Sequence, residues 1–147
     1  MPKEYPKRKW SRLKNHDYSA DAYYFLTVCT KNRECILSKI SADGQNNTVL
    51  ALTPYGEIAE SFVRSIPGID KYVIMPNHIH MIIHKTNGKS LASDVRSFKG
   101  LTTKRIGKSI WQDYYYDHII RDEEDYLKKW NYIDRNPGRW AEDEYNA

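Results

Sequence analysis

Long apolar runs are missing from this sequence, and no stretch approaches the roughly 18 residues needed to cross a bilayer. The amino terminus, Met-Pro-Lys-Glu-Tyr, also lacks the apolar stretch of a secretory leader, so a cytoplasmic protein is expected. Cysteine is scarce. Cys29 and Cys35 are too few for a disulfide scaffold and do not form the pair of pairs typical of a zinc site, so both are read as reduced thiols. Low-complexity tracts are absent as well. With 40% hydrophobic residues, 12 Tyr and 4 Trp, a packed interior is expected instead of global disorder. At 147 residues, one domain spanning residues 1–147 should share a single core.

Charge is unevenly spread. The net charge is +4, yet residues 1–14 alone carry Lys3, Lys7, Arg8, Lys9, Arg12 and Lys14 against Glu4, leaving the remaining chain at −1. A basic arm of about 20 residues is therefore attached to a nearly neutral body. Tyr5 and Trp10 lie among its charges, a combination suited to phosphate contact and base stacking. Lys7, Arg8, Lys9, Trp10 and Arg12 are its candidate DNA-binding residues. The plain alternative is a solvated terminal segment.

Residues 22–30 (AYYFLTVCT) are rich in β-branched and aromatic side chains without clean alternation, which predicts a strand buried on both faces. Residues 35–40 and 48–52 flank the turn-rich SADGQNN and read as a peripheral hairpin. Thr53 can cap a helix with Pro54 in its first turn and an apolar stripe of Ile58, Phe62 and Ile66, ended by Pro67-Gly68. Strands follow at residues 72–75 and 78–85 around Pro76-Asn77, the second closed by Asn87-Gly88.

Ser90 begins a second helix that turns Leu91, Val95, Phe98 and either Leu101 or Thr102 to the core. Arg96, Lys99, Lys104 and Arg105 supply it with a second basic, DNA-binding surface. Residues 111–120 return to strand character. Asp122, Glu123, Glu124 and Asp125 then suit the positive end of a third helix, in which Tyr126, Leu127, Trp130 and Ile133 recur at helical spacing until Asn136-Pro137-Gly138 ends it. Hairpin aside, the order β, α, β, β, α, β, α is that of an α+β, ferredoxin-like split βαβ fold with an appended C-terminal helix. That fold hosts many functions, so function must be read from the site.

In the run VIMPNHIHMII, alternation places His78 and His80 side by side and turns Ile79, Met81 and Ile83 to the other layer. Two neutral imidazoles so held can share a divalent cation. A surface strand, or two satisfied core histidines, is the plainer explanation, and His84 on the same face belongs with it. On the third helix, however, Tyr132 and Asn136 are four residues apart and share one face. The Asn136 amide oxygen is a suitable hard ligand for Mg²⁺ or Mn²⁺ beside the two histidines. Tyr132 is then the candidate nucleophile toward a phosphate, and Lys128 and Lys129 could favour its phenolate.

At His78-Ile-His80 with Met75-Pro76-Asn77 before it, and at Tyr132-Ile-Asp-Arg-Asn136-Pro137, the sequence resembles the REP-associated tyrosine transposases of the single-tyrosine HUH superfamily. Tyr24-Phe25-Leu26-Thr27-Val28 with Arg33, Ser97-Phe98-Lys99, Trp111-Gln112 and the run Tyr116 to Arg121 extend the likeness through most of the chain. The resemblance implies an HUH endonuclease with His78, His80 and Asn136 as ligands of Mg²⁺ or Mn²⁺ and Tyr132 as nucleophile. It implies single-stranded DNA hairpins, imperfect palindromic repeats, as partners, a 5′-phosphotyrosine intermediate, and association with the nucleoid when DNA is bound. A homodimer and a monomer are both compatible with it. Some relatives carry a longer C-terminal tail with DNA-binding or regulatory roles, and regulation of that kind is not expected of a chain ending at Ala147. A noncatalytic nucleic-acid-binding module, an HUH replication or transfer initiator, and a domesticated remnant are the alternatives.

Overall fold

The computed structural model describes residues 21–45, 47–86, 90–143 and 145. Strand β1 (Ala22–Cys29) leads through a 3-10 turn to a hairpin of β2 (Ser38–Ala42) and β3 (Thr48–Leu52). Helix α1 (Pro54–Val63), strands β4 (Ile69–Ile74) and β5 (His78–Lys85), helix α2 (Leu91–Ile106), strand β6 (Tyr116–Ile120) and helix α3 (Glu123–Arg135) follow. A final 3-10 segment covers Pro137–Glu142.

The main sheet is antiparallel with the order β4-β5-β1-β6. With the β2-β3 hairpin set apart, this is the ferredoxin-like arrangement, in which the first and third strands are central. Side chains of successive residues leave a strand on opposite faces. Leu26, Val28, Ile79, Met81 and Ile83 therefore meet Ala59 and Val63 of α1 and Leu91, Val95 and Phe98 of α2 in one layer. On the other face Tyr23, Phe25, Ile82 and Ile120 pack against Tyr126 and Ile133 of α3. Being central and covered on both sides, β1 has no reason to alternate in polarity.

Two local readings change, and one that was open is decided. The buried side of α1 is Gly56, Ala59 and Val63, while Ile58 and Phe62 are only half-buried. A Cβ at residue 56 would stand 1.9 Å from the Leu37 carbonyl oxygen, so the helix approaches its neighbour on a face of small residues. Ile66 is buried beyond the helix end, and Thr53 caps the start as expected, accepting from Gly56 N at 3.1 Å. In α2, Thr102 and not Leu101 faces inward, because it accepts the Trp111 indole N–H at 2.6 Å.

Strand β6 is half as long as residues 111–120 suggested. Trp111 forms only an isolated bridge to Thr30, and the ladder with β1 begins at Tyr116. The Lys99 ammonium donates to the Gln112 and Tyr114 carbonyls, satisfying backbone groups that would otherwise need a neighbouring strand. Cys29 is buried and Cys35 exposed, and neither forms a disulfide among the described residues. Among the described residues no helix is long and apolar enough to cross a membrane. Lys7, Arg8, Lys9, Trp10 and Arg12, and the Asn87-Gly88 turn, lie outside the described residues.

Candidate active site

Alternation along β5 turns His78 and His80 toward α3, with 0% and 1% of their surfaces exposed and their ring centroids 4.5 Å apart. His84 shares this face but lies at the far end of the strand, half-buried and stacked on Tyr23 at 4.4 Å, apart from the pair.

The chain before β5 sets the tautomer of His78. Asn77 Nδ2 donates to the carbonyls of Arg33 at 3.3 Å and Tyr145 at 2.7 Å, which turns Oδ1 toward His78 Nδ1 at 2.8 Å. That oxygen can only accept, so His78 carries its proton on Nδ1 and presents a bare lone pair at Nε2. His80 Nδ1 is met by the Thr27 hydroxyl at 2.8 Å.

Both Nε2 atoms are buried without a hydrogen-bond partner, as are Asn136 Oδ1 and Asp143 Oδ2. These are four of the five such atoms among the described residues, and all four belong to His78 or its surroundings. Asp143 Oδ2 is 3.9 Å from His78 Nε2, and the Asn136 amide approaches the same ring outside hydrogen-bond geometry. Leaving one such group unsatisfied costs roughly 1–3 kcal/mol, and a cation is one guest that could satisfy several of these acceptors at once.

The protonation state agrees with that reading. Burial pushes His78 down to about 4, against the opposing pull of Asp143 and Asn136 and with a smaller push from Arg33. His80 is held well below the usual histidine range, first by burial and then by His78. Both rings are neutral at pH 7, the form that binds metal. Among the described residues no three His, Cys, Asp or Glu side chains stand close enough to hold a metal by themselves. A cation here would draw on the Asn136 amide oxygen as well, and two imidazoles with a hard oxygen suit Mg²⁺ or Mn²⁺.

Helix α3 delivers the tyrosine. Asp122 caps it, accepting from Asp125 N at 2.7 Å, and Asn136 ends it immediately before Pro137. One turn apart, Tyr132 is 40% exposed and Asn136 only 4%, so their shared face runs from the mouth of the site to its floor. The Tyr132 ring lies 5.1 Å from His80 and 6.0 Å from Phe25.

Two clefts meet at Tyr132 and Lys128. One, of about 500 Å³, is lined by Arg135, Asn136, Arg139 and Asp143, and the other, of about 790 Å³, by Phe25, Arg33, His80, Tyr116, His118 and Lys129. Tyr126, a second tyrosine on the helix, is fully buried and donates its hydroxyl to Asp70, so it cannot serve as a substitute nucleophile.

His78, His80, Tyr132 and Asn136 thus come together as the sequence suggested. The α2 cations do not join them: Arg96, Lys104 and Arg105 are exposed on the opposite layer, and Lys99 is committed to backbone carbonyls. Sequence reasoning passed over Asp143 and the supporting roles of Asn77 and Thr27. Thr27 left a faint signal as a polar residue inside an apolar strand. Asp143 left none, because it reaches the site only after the chain turns back through the 3-10 segment.

No family model matches the chain. An uncharacterized protein of Haemophilus influenzae is 33% identical over 170 aligned positions, covering 93% of this chain and 92% of that one. The REP-associated tyrosine transposase of Escherichia coli K12 is 35% identical over 71 residues, 47% of this chain and 43% of its own. A solved structure of a REP-associated tyrosine transposase bound to a REP hairpin superposes with a TM-score of 0.63 at 23% identity, covering 95% of this chain and 74% of that one. The likeness in fold reaches almost from end to end, and the likeness in sequence extends to a transposase of that name. Over about half of its length the chain is thus similar in sequence to a REP-associated tyrosine transposase, and over almost all of its length it shares the fold of one.

Proposed function

We propose that this protein nicks and rejoins single-stranded DNA at hairpin repeats, with Tyr132 as nucleophile and a divalent cation, Mg²⁺ or Mn²⁺, held by His78, His80 and Asn136. The observation that carries this reading is the pair of buried, unpartnered Nε2 atoms, one of them on a ring 5.1 Å from that of the half-exposed Tyr132. Two satisfied core histidines would not leave both lone pairs bare.

A scissile phosphate at Tyr132 would have one cleft on each side, so the strand can enter through one and leave through the other. Lys128, Arg135 and Arg139 offer cations to the backbone in the first cleft, and Arg33 and Lys129 in the second. Phe25 and Tyr116 offer faces on which a base can stack. When bound, the cation supplies Lewis-acid polarisation of a phosphate oxygen. Tyr132 Oη forms a bond to phosphorus while the bond to the 3′ oxygen breaks, leaving a 5′-phosphotyrosine and a free 3′-hydroxyl. The phenol proton passes to solvent, and the departing 3′ oxygen takes one up. Attack by a 3′-hydroxyl in the reverse sense rejoins the strand and frees the tyrosine.

The test is a denaturing gel of the protein mixed with labelled single-stranded hairpins from repeats flanking its own gene, with Mn²⁺ or with EDTA. A protein-linked DNA band that requires both metal and the Tyr132 hydroxyl supports the reading. Equal binding by wild type and Tyr132→Phe, with no covalent product on any hairpin, would favour a noncatalytic binding module.

A further inference from the structure

We infer that Asp143 is a fourth ligand of the cation, supplied by the segment that follows the tyrosine helix. This deepens the metal-dependent reading above and rests on it. Only 2% of the Asp143 side chain is exposed. Its Oδ1 accepts the Tyr145 backbone N–H at 2.9 Å, while Oδ2 has no hydrogen-bond partner. At 3.9 Å, His78 Nε2 is beyond hydrogen-bond reach of that oxygen. A buried carboxylate oxygen left in this way is destabilising unless a cation completes it.

His78 and Asp143 are spaced to share an ion, and His80 has to close on them as the ion binds, because the three side chains do not stand close enough without it. Two atoms each about 2.1 Å from one Mg²⁺ or Mn²⁺ stand at most about 4.2 Å apart, and Asp143 Oδ2 and His78 Nε2 fall inside that limit. The backbone around Asp143 holds the carboxylate in place. Asp143 N donates to the Trp140 carbonyl at 3.1 Å, the Tyr145 carbonyl accepts from Asn77, and the Tyr145 ring stacks on His78 at 4.3 Å. Asn77 thereby ties the orientation of His78 and the position of the Asp143 segment to one side chain. A carboxylate also gives the site a formal negative charge that two imidazoles and an amide lack, and charge count among oxygen ligands sets affinity for hard cations.

The experiment is a Mn²⁺ titration followed by loss of the free-ion electron paramagnetic resonance signal, with melting curves in EDTA and in excess Mn²⁺. Wild type, Asp143→Asn, His80→Ala and Tyr132→Phe are compared. Asparagine keeps the acceptor for Tyr145 N–H and removes the charge. The expected result is Mn²⁺ affinity about tenfold or more lower in Asp143→Asn and unchanged in Tyr132→Phe. In EDTA, Asp143→Asn should melt at or above wild type, because an uncompensated buried charge is gone, and it should gain less from Mn²⁺. A purely structural Asp143 would lower melting in EDTA and leave affinity alone. Wild-type affinity in Asp143→Asn, with binding lost in His80→Ala, overturns the fourth ligand and leaves the metal site standing. If wild type takes up no Mn²⁺, both readings fall.

Discussion

Thr27 and His80 stand directly opposite one another on β1 and β5, and the Thr27 hydroxyl lies 2.8 Å from His80 Nδ1. The contact fixes the ring rotation that aims Nε2 into the site, as outer hydrogen bonds do for metal-binding histidines. Thr27→Val keeps the shape of the strand and removes the hydroxyl. Its Mn²⁺ affinity should fall about tenfold, read by calorimetric titration, with circular dichroism unchanged. Undiminished affinity would mean that packing against Phe25 and Tyr132 is enough to hold the ring.

The depressed basicity of His78 and His80 makes metal-free stability depend on pH. In the folded chain His78 titrates near 4, below its ordinary 6.5, so between these values the unfolded chain binds the extra proton. The stabilisation is complete above about pH 6.5 and is lost as pH falls toward about 4, on the order of 3 kcal/mol for this ring. Melting temperature in EDTA should therefore be level above neutrality and decline through that window. A flat profile would show that the rings accept protons while folded.

Two sets of basic residues should separate in kinetics. Lys128→Ala and Arg139→Ala remove cations from the cleft beside Tyr132, whereas Lys104→Ala and Arg105→Ala act on the far layer. The first pair should slow single-turnover cleavage at saturating hairpin by about tenfold. The second should leave that rate alone and weaken binding, reducing its salt slope by about 1 per cation if it touches phosphate. Equal loss of the cleavage rate in both pairs would contradict the path through the clefts.

Gly68 offers a stability test away from the chemistry. Its φ is +83°, and a Cβ there would stand 2.0 Å from the His84 carbonyl oxygen. Gly68→Ala strains the backbone and pushes β4 off the end of β5, which should cost about 3 kcal/mol or more in denaturant unfolding. Tyr132→Phe, altering a half-exposed hydroxyl, should unfold within about 0.5 kcal/mol of wild type.

Much of this protein was present in local pattern. Alternation paired His78 with His80, a four-residue spacing put Tyr132 and Asn136 on one helical face, and capping and breaking residues bounded α1, α2 and α3, because each depends only on neighbours in sequence. The true face of α1, the short β6 and the inward turn of Thr102 were not legible, since the Leu37 carbonyl, the Lys99 ammonium and the Trp111 indole decide them from distant positions. The same holds for the site. Sequence named the candidate donors that periodicity can align, but only the folded chain brings Thr27 behind His80, Asn77 behind His78 and the Asp143 carboxylate to within 3.9 Å of an imidazole. Hydrogen bonds and buried charge act through space, and the contacts that govern this site are made between residues from β1, β5 and the segment beyond α3.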